Sequence, residues 1–126
     1  MLIQLDFEND LPIYRQIRDQ IVRGIADGRL LPGERLPSVR ALADEAGVNM
    51  MTVSKAYQLL KGEGYITMGR RNGACVALRS PGKLSTHTRE ELERIICEAR
   101  ASGCSYEEFM SVCRSLFEQA DGKENL

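Results

Sequence analysis

Apolar side chains fall at helical spacing in the first part of this chain, switch to short runs near residue 65, and return to helical spacing after residue 88. Tyr14, Ile17, Ile21, Val22 and Ile25 form one stripe of a first helix expected from about Pro12 to Asp27. Pro12 suits its first turn and Gly28 its stop. Leu31-Pro32-Gly33-Glu34 reads as a turn. A second helix is expected to start at Ser38, whose hydroxyl can accept from a free backbone N–H. It buries Val39, Leu42, Ala43 and Ala46, and Gly47 permits a sharp turn. A third helix, capped by Asn49, runs to about Lys61 with Val53, Ala56, Tyr57 and Leu60 inward. Gly62 and Gly64 end it. Tyr65–Met68 and Ala74–Leu78 read as two short strands around a basic tip, Gly69-Arg70-Arg71-Asn72-Gly73. Residues 1–10 read as an extended lead-in in which Leu2–Phe7 could pair weakly as a strand.

A short helix, a glycine turn and a second helix with a polar outer face is the helix-turn-helix plan, and the basic hairpin supplies a wing. That plan has one dominant use, which is to lay its second helix in the DNA major groove. The fold class expected is mainly α with a small β-wing. A winged helix-turn-helix domain occupies residues 1–79, and a linker with a helical dimerisation tail occupies 80–126.

Directions around the third helix follow from about 100° per residue. With Val53 and Leu60 inward, Met51, Lys55 and Gln58 point away, Thr52 and Ser54 flank them, and Met50 lies nearer the core. Lys55 can reach phosphate or guanine, and Gln58 can pair with adenine. Met51 packs on a thymine methyl in one reading and is a tolerated surface side chain in the other. Arg40 is either a DNA contact or an intramolecular partner of Asp44 or Glu45. Arg70 and Arg71, with Asn72 and Gly73 beside them, are candidates for the minor groove or the backbone. Arg15, Arg35 and Lys61 are weaker phosphate candidates that read first as surface charge.

The net charge of −1 changes this picture only when it is divided. Residues 11–79 carry a net +5, residues 80–126 a net −3, and the first ten residues three acids. No apolar run approaches the roughly 18 residues of a membrane helix. Met1–Asp6 has neither the basic region nor the apolar core of a secretory signal, so a cytoplasmic location with no membrane partner is expected. Cys75, Cys97, Cys104 and Cys113 show no zinc or dithiol spacing and are expected as reduced thiols, with no metal and no cofactor. One histidine, no nucleophile–base set and no glycine-rich phosphate loop argue against an enzyme.

The runs Pro12–Ile17, Gly28–Arg40, Thr52–Leu60 and Gly64-Tyr65-Ile66 together resemble the GntR family of bacterial transcription regulators over residues 11–78. The short two-helix tail is similar to that of the YtrA subfamily, which lacks a large effector domain. The resemblance implies a homodimer on a palindromic double-stranded operator, usually as a repressor. Arg40, Asn49, Thr52, Ser54, Lys55 and the wing are then DNA contacts, and Ser38 at the start of the second helix is a further candidate contact. The chain departs from the family pattern in the wing, where Arg71 stands for a glycine and Cys75 for an aromatic, and at Met50-Met51.

After a linker at Ser80–Lys83, two more helices are expected. Thr88 with Glu91 and Ser105 with Glu108 read as capping boxes, and Gly103 separates the helices. The first carries Leu92, Ile95, Ile96 and Ala99. The second carries Tyr106, Phe109, Met110, Cys113, Leu116, Phe117 and Ala120 at alternating three-four spacing, and the chain is expected to fray from Gln119. These stripes are the expected dimer contact. An unknown small-molecule effector at that interface, near Phe109, Met110 and Phe117, is a further possible partner. Two alternative functions remain open: a protein-interaction adaptor, and a thiol- or metal-responsive sensor. The sensor would use an exposed Cys97, with Arg94 and Arg100 nearby, or Cys104, with His87 in the linker.

Overall fold

The computed structural model describes residues 3–79 and 82–122, with side chains through residue 119. Contacts divide the chain into two compact units, residues 1–79 and 80–126. The elements in chain order are α1 (Ile13–Ala26), α2 (Val39–Ala46), α3 (Met50–Glu63), β1 (Ile66–Gly69), β2 (Gly73–Val76), α4 (Thr86–Ala101) and α5 (Tyr106–Gly122).

In the first unit, α1 and α2 pack against α3. Ile17 and Ile21 of α1, Leu42 of α2 and Val53, Ala56, Tyr57 and Leu60 of α3 are fully buried at the junction. Burying each large apolar side chain stabilises the unit by about 1.5–3 kcal/mol. Ile66, Ala74 and Val76 extend this core beneath the wing. Arg18 ties α1 to the end of α3. Its Nε donates to Glu63 at 2.8 Å, its Nη1 donates to Asp19 at 2.8 Å, and its guanidinium stands 5.5 Å from the Tyr65 ring centroid.

β1 and β2 pair antiparallel, Ile66 opposite Val76 and Gly69 opposite Gly73, which leaves residues 70–72 as the tip. The turn forms as expected, with Glu34 N donating to Leu31 O at 2.9 Å, and just beyond it the chain bridges the edge of the two-stranded sheet. Leu36 N donates to Ala74 O and Val76 N to Glu34 O, both at 2.8 Å, around a single Arg35–Cys75 bridge. Pro32-Gly33 does turn, but the residues after it pair with β2 because the inward-facing Leu36 is buried in the same core as Ala74 and Val76.

The described part of the lead-in forms no strand. Two glutamines of α1 hold it instead. Gln16 accepts from Asp6 N at 2.9 Å and donates to the carbonyls of Asp6 and Leu11, while Gln20 exchanges hydrogen bonds with both backbone groups of Gln4. Side-chain amides offer the same donor and acceptor as a strand backbone, so the segment is satisfied without a sheet. The part of that expectation that falls on Met1 and Leu2 lies outside the described residues.

In the second unit, Ser85 rather than Thr88 caps α4, because its Oγ accepts from Thr88 N at 3.1 Å. The helix therefore starts earlier than expected, and His87 lies in its first turn rather than in the linker. Ser105 caps α5 as expected, accepting from Glu108 N at 3.1 Å. α5 runs to Gly122, beyond the point where fraying was expected. Residues 123–126, the Ala120 side chain and Ser80-Pro81 of the expected linker lie outside the described residues. No residue of α4 is buried, and α4 and α5 pack little on one another. Leu92, Ile95, Ile96, Tyr106, Met110, Val112, Leu116 and Phe117 are exposed, while Ala99, Phe109 and Cys113 are half-buried. Among the described residues no helix is long and apolar enough to cross a membrane.

Candidate nucleic-acid interface

The turn between α2 and α3 is built by its own side chains. Ser38 Oγ accepts from Ala41 N at 3.0 Å and starts α2. Gly47 ends α2 at φ +72°, a left-handed conformation that suits glycine, with its N–H on Ala43 O at 2.9 Å. Asn49 Oδ1 then accepts from both the backbone N–H and the hydroxyl of Thr52, at 2.8 and 3.0 Å. A capping side chain satisfies helix donors that otherwise have no partner, which fixes where α3 begins. Tyr57 completes the brace. Its hydroxyl donates to Pro37 O at 2.7 Å, so a buried residue of α3 holds the entry to α2. Burial, and secondarily the charge of Glu45, pushes the Tyr57 phenol up to about 12 from 10.0.

The outer face of α3 is mostly the one expected. Met51 is the most exposed of its large apolar side chains at 82%, Lys55 and Gln58 are exposed, and Thr52 and Ser54 are half-buried on the flanks. Met50, at 46% exposed, lies nearer the core than Met51, as expected, without being buried. Thr52 commits its hydroxyl to the cap, which leaves its methyl and flank for a partner. Asn49 uses its oxygen twice, and its amide N–H groups have no hydrogen-bond partner among the described residues.

Lys55 does not extend freely. Its Nζ sits 4.1 Å from the centroid of the Tyr14 ring on α1, a cation–π contact within the same unit. Arg40 is exposed on α2 and, among the described residues, makes no ion pair with Asp44 or Glu45. At the wing, Arg70, Arg71 and Asn72 are exposed, and Gly73 closes the tip at φ +65°. The Cys75 thiol donates to Asn72 O at 3.4 Å, so the residue standing for an aromatic helps close the loop.

Three features escaped the sequence. The phenol brace was hidden because Tyr57 fits the apolar stripe by spacing alone. The Arg35–Cys75 bridge was hidden by the turn residues in front of it. The Lys55–Tyr14 contact joins residues far apart in sequence, and only the packing of α1 against α3 brings them together.

Exposed Cys97 agrees with its expected place, and the other three thiols are half-buried. Arg94 is engaged by Glu91 at 2.8 Å and Glu98 at 3.0 Å, so its charge is spent on its own helix rather than on Cys97. Among the described residues no group of three or more His, Cys, Asp or Glu is placed to hold a metal.

Residues 13–76 match the family described as bacterial regulatory proteins, gntR family. The chain is 37% identical to the HTH-type transcriptional repressor YtrA of Bacillus subtilis (strain 168), over 84% of this chain and 85% of that protein. Its fold is similar to that of YtrA from Sulfolobus acidocaldarius, a GntR-family transcription factor. That match has 42% identity and a TM-score of 0.69, and it covers 80% of this chain and 99% of that one. It is also similar to the DNA-binding domain of AraR in complex with operator ORX1, at 27% identity and a TM-score of 0.55, covering 61% of this chain and 99% of that one.

Proposed function

The chain belongs to the gntR family of bacterial regulatory proteins, and as a DNA-binding transcriptional regulator of that family we propose that it represses transcription by gripping a palindromic operator as a homodimer. The observation that carries the DNA face is the exposed surface formed by Met51, Lys55 and Gln58 on α3, Arg40 on α2 and the arginines of the wing. Caps and buried anchors set the backbone positions of α2 and α3 that carry this surface. In this reading the third helix enters the major groove. Lys55, Gln58 and Met51 meet base edges, Ser54, Thr52, Asn49 and Ser38 meet the backbone beside them, and Arg40 meets phosphate or base. Arg70, Arg71, Asn72 and Gly73 lie along the minor groove.

Dimerisation is assigned to residues 80–126, with residues 1–79 as the DNA-binding domain. Its support is the apolar surface of the tail. Leu92, Ile95 and Ile96 on α4, with Tyr106, Met110, Leu116 and Phe117 on α5, remain uncovered within one chain. Soluble monomers rarely leave that many large apolar groups along two adjoining helices. A second copy would cover them and draw in Ala99, Phe109 and Cys113. A cavity of about 330 Å³ at the α4–α5 turn, lined by Ile96, Tyr106, Phe109 and Met110, could take a small effector, but the same residues suit side chains of the second subunit. The regulator acts in the cytoplasm, where chromosomal DNA is accessible, and no catalytic step enters the reading.

Selection of bound genomic fragments by the purified protein, followed by sequencing, tests this. An inverted repeat common to the recovered fragments, upstream of a gene whose transcript rises when the protein is deleted, is the expected result. Recovery of fragments with no shared sequence contradicts it.

A further inference from the structure

We propose that Arg35 is a third guanidinium of the wing, a phosphate-binding residue of the DNA surface although it precedes α2 in the chain. This deepens the DNA reading above and rests on it. The hydrogen bonds from Leu36 N to Ala74 O and from Val76 N to Glu34 O enclose the Arg35–Cys75 bridge. Residues paired between such bonds, without exchanging any themselves, stand closest across a ladder and share one face of the sheet. That face is the outer one. Leu36 beside the bridge and Ala74 and Val76 on β2 are buried in the core, so Arg35, Gly73 and Cys75 alternate outward.

The Arg35 side chain then runs along this face toward the tip. Its Nη2 and Nε lie 3.7 and 3.8 Å from where a Cβ on Gly73 would stand. Gly73 is the residue on which the 70–72 loop closes, so the guanidinium reaches the root of the loop that carries Arg70 and Arg71. The lane is open because Gly73 has no side chain and Cys75 is small and turns its thiol to Asn72 O.

Among the described residues Arg35 makes no ion pair. Its neighbour Glu34 accepts instead from Leu31 N at 3.0 Å, inside its own turn. Arg35 also lines a groove of about 960 Å³ together with Arg23, Arg29 and Glu34. Arg35 at the root of the loop adds to the charge of Arg70 and Arg71 on it, and a row of duplex phosphates supplies anions that such a cluster binds.

The experiment measures binding of the full-length protein to random-sequence duplex DNA and to selected operator duplex across a salt series. Arg35→Gln is expected to weaken both about tenfold, uniformly, and to lower the slope of log affinity against log salt by about one. Arg35→Lys should restore the slope. Arg35→Met, which keeps the stem, should behave as Arg35→Gln and serves if the glutamine variant fails to fold. A residue that only props the wing would alter melting or affinity without changing the slope. An unchanged slope in a folded neutral variant of a wild type that binds duplex overturns this inference alone. A wild type with no salt-dependent duplex binding overturns the DNA reading, and this inference with it.

Discussion

The ammonium of Lys55 rests 4.1 Å above the ring of Tyr14, so the cation that opens the outer face of α3 is steadied by α1. An exposed cation–π contact is worth about 0.5–1 kcal/mol. A direct contact with a base edge is worth about 1–3 kcal/mol. The second exceeds the first, so DNA can draw the lysine from the ring with a net gain. Lys55→Ala is expected to reduce operator affinity roughly 5- to 150-fold. Its melting temperature should fall by only a few degrees. Equal affinity with a clear loss of stability would make Lys55 a packing residue of its own unit, and titration calorimetry beside thermal melting separates the two.

Arg40 carries a simpler expectation. It is exposed and makes no ion pair with the acids on its own helix. Arg40→Ala should therefore leave stability within about 0.5 kcal/mol of wild type. Operator affinity should drop about tenfold or more, with a shallower salt dependence. A loss of stability larger than the loss of binding would contradict it.

Tyr57 links the two helices of the reading head through Pro37. Tyr57→Phe leaves that carbonyl without its donor and should cost about 1–3 kcal/mol. The effect depends on pH. Burial, with the charge of Glu45 second, raises the phenol from 10.0 to about 12 in the folded state. A raised pKa favours the protonated form in the fold. Its contribution is complete below pH 10 and is lost as pH rises toward 12. The stability gap between wild type and Tyr57→Phe should therefore narrow across that interval in denaturant titrations. A gap that stays constant would contradict the buried phenol.

The tail should control assembly. Phe117, 77% exposed, and Ile95 lie on the uncovered apolar surface. Ile95→Glu with Phe117→Glu should yield a monomer by light scattering, with the winged-helix unit still folded. Operator affinity should fall about 100-fold or more, because linking two reading heads raises effective concentration. A double variant that remains dimeric would assign the contact elsewhere.

The elements that cap and bury themselves locally were legible in the sequence. Ser38, Gly47 and Asn49 announced the helix-turn-helix because their chemistry acts over three or four residues. Val53, Ala56, Tyr57 and Leu60 announced the core because the helical period repeats. The bridge of Arg35 to Cys75, Gln16 and Gln20 holding the lead-in, and Lys55 on Tyr14 were not legible. Each depends on a partner brought near only by folding. The cap of α4 was misassigned for a different reason. Ser85 and Thr88 are both good caps three residues apart, and local chemistry does not choose between them.

Hydroxyl-radical footprinting of the full-length protein on a selected operator tests the central claim most directly. Two protected patches on one face of the duplex, about 34 Å apart or a multiple of that and related by the dyad of the repeat, are expected. They should disappear together in the Lys55→Ala, Arg40→Ala double variant. A single asymmetric patch, or protection that survives the double variant unchanged, would contradict a symmetric pair of reading heads built on α3.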